Sequence, residues 1–226
     1  MRANKRLKLP GGDRLTEELP IAELSSADAV RLGDLVLIAF DLSLSLDCCS
    51  RLIELYDKKV EDHLLGQALW TCALVHYVRC FATGKRSGLN ETILETLPGE
   101  PVETHRYYKG LRDKHTAHSV NPLEQVTVGV ILSLPESAER RVEGVAALMG
   151  RQLYAGREEA EGLRRLAAAV RSKVLTLRKD LEGRIIKDAA ARPIDELYTG
   201  RRGRVTIPGR EQPAKPRAGT DGQGAA

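Results

Sequence analysis

Aromatic side chains are scarce in this chain: one Trp, six Tyr and two Phe amount to 4% of 226 residues. Set against abundant Leu and Ala, the shortage leans the chain towards helices. Cysteine is sparse too, with only Cys48, Cys49, Cys72 and Cys80. No apolar run approaches the ~20 residues of a membrane span, so no membrane partner is expected. Residues 1–10 are basic but lack the apolar stretch of a secretory signal. The expectation is a cytoplasmic protein whose four thiols are reduced core residues rather than disulfides. What the chain does have, 42% hydrophobic residues, is enough to bury one core, and the length suits one domain with flexible ends.

The net charge of +4 conceals a partition. Five Arg/Lys against Asp13 in residues 1–14, and six against Glu211 and Asp221 in residues 199–226, leave each end at +4 and residues 15–198 at −4. The body is not a basic nucleic-acid platform. The basic ends read as solvated chain that adds non-specific phosphate affinity at most.

Residues 1–25 contain Pro10-Gly11-Gly12 and Pro20, show little periodicity and read as a flexible leader. Ser25 or Ser26 is placed to cap a helix. Ala29, Leu32, Leu35, Ile38, Leu42, Leu46 and Cys49 recur at helical intervals and predict a helix over about 27–56. A second helix, from Lys59 to Gly84, is apolar around much of its circumference and reads as the central, buried one. A short helix over 90–96 stops before Pro98-Gly99. The next starts near Pro101, a favoured first-turn residue, and runs to about Ser119, where Asn121-Pro122 ends it.

Residues 123–132 then show the alternation and β-branching of a strand. Pro135-Glu136-Ser137 reads as a turn and residues 141–146 as the return strand, although 146–154 also fits a helix. A long helix follows over 156–191, then a short segment to Tyr198 and a disordered, basic tail over 199–226. The predicted architecture is mainly α: a helical bundle over 26–198 with a small β-hairpin, 123–147, inserted before the last long helix.

The densest chemistry lies in Leu111-Arg112-Asp113-Lys114-His115-Thr116-Ala117-His118. Arg112 is always cationic and grips phosphate with a planar fork of donors. His118 exchanges a proton near neutral pH. Six residues turn an ideal helix through 600°, which sets the two ~120° apart and ~9 Å along the axis. By this geometry Tyr107, Leu111 and His118 share one side, expected to border the core. His105, Tyr108, Arg112 and His115 line another. An ion-paired arginine and a capping histidine would satisfy the same spacing.

Arg112, polar Asp113, four further residues and His118 resemble the Arg-x(4–6)-His signature of the HEPN superfamily. The likeness extends over the helical layout of residues 27–190, but its sharp part is those seven residues. It implies a compact helical bundle, a homodimer that brings two motifs into one cleft, and metal-independent endoribonuclease activity on RNA without a cofactor. Such proteins serve toxin–antitoxin, phage-defence or RNA-processing systems, so a cognate antitoxin or other partner protein is implied. Arg112 would then hold the scissile phosphate, His118 would move the proton and Asp113 would orient one of them. Lys114, His115 and Arg79 would be accessory. The hairpin departs from a plain bundle. Two alternatives stand beside this reading: a silent HEPN-like module that only binds nucleotide, RNA or protein, and a helical interaction protein whose motif is structural.

Cys72, His76 and Cys80 fall at i, i+4 and i+8 on the second helix, with Cys48 and Cys49 on the first. Thiolate and imidazole are good zinc ligands. Three groups spread over ~12 Å of helix, however, cannot all reach one tetrahedral ion. They read as a packing face, and no metal site is expected.

Overall fold

The computed structural model describes residues 21–82, 84, 86–116, 124–151 and 154–200. The chain is mainly α. Helix α1 spans Ala27–Asp57, α2 His63–Val78, α3 Thr92–Glu95, α4 Pro101–Thr116, α5 Arg157–Ala190 and α6 Ile194–Thr199. Strands β1 (Glu124–Leu132) and β2 (Val142–Arg151) form an antiparallel hairpin between α4 and α5. Two compact units are distinguishable, Asp34–Arg178 and a second made of Met1–Gly33 with Lys179–Ala226.

The helix ends have local causes. Ser26 is the cap at the start of α1, its hydroxyl accepting from the Ala29 amide at 3.2 Å, which satisfies one of the orphan donors of a first turn. At the other end Lys59 adopts φ 53°, while the Lys59 and Val60 amides donate back to Tyr56 and Leu55. That pair of bonds closes the last turn of a helix through a left-handed residue. Asp62 caps α2 by accepting from the Leu65 amide at 2.9 Å. α2 is shorter than its periodicity predicts. It ends at Val78, tightens into a 3₁₀ turn over Arg79–Phe81, and leaves helical geometry at Ala82.

The core of the Asp34–Arg178 unit is built from stripes on three helices. α1 buries Leu35, Ile38, Leu42, Cys49 and Leu52; α2 buries Trp70, Ala73, Leu74, Tyr77 and Val78; α5 buries Ala160, Leu163, Ala167, Val170 and Val174. The expectation of α2 as the central, buried helix needs correction. One face is buried, but Leu64 is 80% exposed. Leu64, Ala68, Thr71, Cys72 and Val75 line an open groove of about 460 Å³ that ends at His76. In the second unit, α6 buries none of its residues, and the Asp28 carboxylate accepts from Arg184 Nε at 2.8 Å.

The hairpin is longer than predicted, because β2 continues to Arg151 where residues 146–154 also fitted a helix. Its register pairs Val126 with Met149, Val128 with Ala147 and Val130 with Val145. A bulge follows: Ile131 pairs with Gly144 and Leu132 with Val142, which leaves Glu143 without a partner on β1. No residue of 125–150 is buried.

Candidate functional site

Helix α4 carries the first part of the predicted motif, up to Thr116. Pro101 begins it and Arg112 and Asp113 sit in its last turn and a half. Arg112 Nε stands 3.1 Å from Asp113 Oδ1, with the side chains 32% and 46% exposed. Arg112 Nε is itself out of contact with solvent and without a well-aligned hydrogen bond. Arg112 thus has an enclosed Nε on a side chain that is a third exposed. Lys114 and His115 lie on α4, but their side chains are outside the described residues, and His118 lies outside them altogether.

The sequence geometry assigned the wrong side of α4 to the core. His105 and Tyr108 are buried, at 0% and 3% exposure, whereas Tyr107 is 48% exposed. The cause is the partner each side finds. Tyr108 reaches into the core, where its hydroxyl donates to the Glu159 carbonyl at 2.9 Å and its ring meets Trp70 edge-on. It passes so close to Gly162 that a Cβ there would collide with the hydroxyl. Tyr107 stays outside and donates to the Glu159 carboxylate at 2.8 Å. Arg112 therefore shares a side with the buried pair, two turns beyond His105.

His105 sits against Phe81 with ring centroids 4.4 Å apart. Its Nδ1 is 3.0 Å from the Tyr77 hydroxyl and its Nε2 is 3.5 Å from Glu91 Oε1. The carboxylate favours the proton on Nε2, which makes Nδ1 the acceptor of the Tyr77 proton. Burial lowers the His105 pKa below its ordinary 6.5, against the opposing pull of Glu91. A lysine bond supports that acid: Lys109 donates to Glu91 at 3.0 Å and holds its carboxyl below the usual range. Because the unfolded chain binds the His105 proton more readily than the folded one, stability is complete above pH ~6.5 and falls as the pH drops below it. Urea titrations at about pH 7.5 and about pH 5 should show the parent losing more stability than His105→Phe. Equal losses in the two proteins would remove His105 as the cause.

A second polar cluster, centred on Asp41, escaped the sequence reading. Asp41 is buried on α1 and accepts from Arg86 at 2.7 Å while facing His76 Nδ1 at 2.9 Å. Arg79, in the 3₁₀ turn, brings Nε to 3.3 Å of the same carboxylate. Arg86 also donates to the Arg79 carbonyl at 2.9 Å, and the Ser87 amide donates to Asp34 at 3.2 Å. These bonds tie the chain after α2 to α1. A signal for them was present, since Asp34, Ile38, Asp41 and Ser45 recur at helical spacing within an otherwise apolar stripe. All four are buried, and Ser45 donates to the Ala73 carbonyl at 2.9 Å.

Three of the four cysteines pack into the core as expected, whereas Cys72 is half-buried and lines the open groove on α2. Cys49 and Cys80 are fully buried and Cys48 nearly so, and all four are free thiols. Burial pushes Cys48, Cys49 and Cys80 up to about 12, so at neutral pH none is the thiolate that a nucleophile or metal ligand must be. His76 turns to Asp41, and Cys80 donates to the His76 carbonyl at 3.1 Å. Among the described residues no group of three His, Cys, Asp or Glu side chains is placed to share an ion, and no helix is long and apolar enough to cross a membrane.

The chain matches no protein-family model, and comparison with curated proteins and with solved structures found no match.

Proposed function

We propose that the protein is a metal-independent endoribonuclease in which Arg112 bears the charge of the scissile phosphate and His118 moves the proton. The observation that carries this reading is the setting of Arg112: a partly exposed side chain whose Nε is buried and stands 3.1 Å from Asp113. A fixed cation aimed at the position of developing charge needs little reorganisation during the reaction. Asp113, adjacent in sequence, is the group that orients it. The similarity of Arg112, Asp113 and His118 to the HEPN signature supplies the reaction class and the expectation that two copies share one cleft. The neutral, enclosed His105 belongs to the support of α4 rather than to proton transfer, because its ring nitrogens face Tyr77 and Glu91.

The chemistry has a readable signature. Attack of a 2′-hydroxyl on its own 3′-phosphate forms the new P–O bond as the 5′-oxygen leaves and takes a proton. The products are a 2′,3′-cyclic phosphate and a 5′-hydroxyl. Structured and single-stranded RNAs incubated with the protein in EDTA should give those ends, and an RNA with one deoxynucleotide should resist cleavage at that nucleotide. Cleavage that requires magnesium and leaves 3′-hydroxyl ends would overturn the proposal, as would intact RNA in every preparation.

A further inference from the structure

The β1–β2 hairpin presents more uncovered apolar surface than any other element. Val126, Val128, Val130, Val145 and Met149 are each 59–72% exposed, and the register sets all five on one face together with Ala147. A lone two-stranded ribbon is at best marginally stable in water and ordinarily needs a third strand or a covering layer. The bodies of the strands hold no charge: residues 125–135 and 144–150 contain no Asp, Glu, Lys or Arg. Along those stretches no cation is present to hold a phosphate backbone, the contact on which nucleic-acid binding rests.

The sequence of β2 specifies what fits. Glu143-Gly144-Val145-Ala146-Ala147-Leu148-Met149-Gly150-Arg151 is close to a palindrome in character about Ala147. Laid antiparallel on a copy of itself and centred on Ala147, it sets Glu143 opposite Arg151, Gly144 opposite Gly150, Val145 opposite Met149 and Ala146 opposite Leu148. Both ends of the pairing gain opposite charges, and every position between them is apolar or glycine. β1 has no such symmetry, because centring it on Val128 sets Glu124 opposite Leu132. Nor is the β2 edge guarded by lysine or proline, the usual devices against strand addition. Glu143 is the bulged residue, and among the described residues its ionic contact is an exposed one with Arg141 at 3.2 Å, a weak pair that exchanges readily.

We propose that a second copy of this chain adds to the free edge of β2, antiparallel and centred on Ala147. The product is a four-stranded sheet in the order β1–β2–β2–β1 whose Val/Ala/Met face runs across both copies. The two-fold axis passes between the two Ala147 residues, so the pairing closes on itself as a dimer. Loss of RNA cleavage leaves it untouched; a dimer that fails to cross-link through residue 147 overturns this pairing alone, whereas a monomeric parent counts also against the shared cleft of the Arg112 reading.

Directly opposed residues of an antiparallel pair have Cα atoms ~4.5–5.5 Å apart, within disulfide range. Mild oxidation should convert Ala147→Cys into a covalent dimer. Val145→Cys should not cross-link, because the two copies of residue 145 stand four residues, ~13 Å, apart along the strands. The parent chain controls for Cys72. Sedimentation should show a parent dimer at micromolar concentration. Glu143→Arg should raise its Kd about tenfold by opposing like charges at both ends, and adding Arg151→Glu should restore it. A monomeric parent, cross-linking through residue 145 instead of 147, or a charge swap that fails to restore association would each overturn the proposal.

Discussion

Arg112→Ala is expected to slow RNA cleavage by ~10²–10³-fold, the effect of removing one preorganised group that stabilises developing charge. His118→Ala should lose ~10²–10⁴-fold through the missing proton transfer. Lys114→Ala should cost less than either, since the signature does not include it. The thermal transition should stay near that of the parent in the Arg112 variant. Among the described residues its close ionic partner is Asp113, a half-exposed neighbour, and pairs of that kind are worth ~0–1 kcal/mol. Rate and melting must therefore be measured on the same preparations. Variants that fold normally and cleave like the parent would exclude catalysis by this motif. Variants that melt far below the parent would make Arg112 a structural residue instead.

Asp41→Ala is expected to cost about 3 kcal/mol of stability, because removing one partner of a buried ion pair strands the other. The side chains of Asp41 and Arg86 are 6% and 19% exposed, so Arg86 would lose its carboxylate with little water to replace it. Arg79, 51% exposed, would turn to solvent and add little. Asp41→Asn should cost less by keeping an acceptor for Arg86. The double change Asp41→Leu with Arg86→Met should recover much of the loss, since apolar groups often substitute for a buried pair at small cost. Urea denaturation with unchanged m-values checks all three. A loss below ~0.5 kcal/mol for Asp41→Ala, the scale of ordinary surface changes, would show that the cluster is not a structural tie.

Local pattern alone determined the elements and most of their limits. The apolar repeat from Ala29 to Cys49 and the hydroxyl of Ser26 located α1 to within a residue or two, Pro101 marked the start of α4, and Arg192-Pro193 closed α5. These signals act through bonds and side-chain spacings a few residues apart, so they survive in a bare sequence. The hairpin was legible through Val126, Val128 and Val130, whereas its return strand was ambiguous because Ala146-Ala147-Leu148-Met149 suits a helix as well. Only pairing with β1, residue against residue, makes that stretch a strand.

Tertiary structure alone decided which faces turn inward. Periodicity shows that α4 has two sides, but the choice of His105 and Tyr108 for the interior rests on Tyr77, Phe81 and Trp70 of the α2 segment and on the backbone of α5. The Asp41 cluster is of the same kind. Its carboxylate is joined to His76 and Arg86 across 35 and 45 residues of sequence, and no local rule selects those partners. Burial of a charge is tolerated only where opposite charges converge on it, and convergence is a property of the packed chain. The Arg112–Asp113 pair was readable because the two residues are neighbours. The support beneath it was not, because the groups that hold α4 in place come from three separate parts of the sequence.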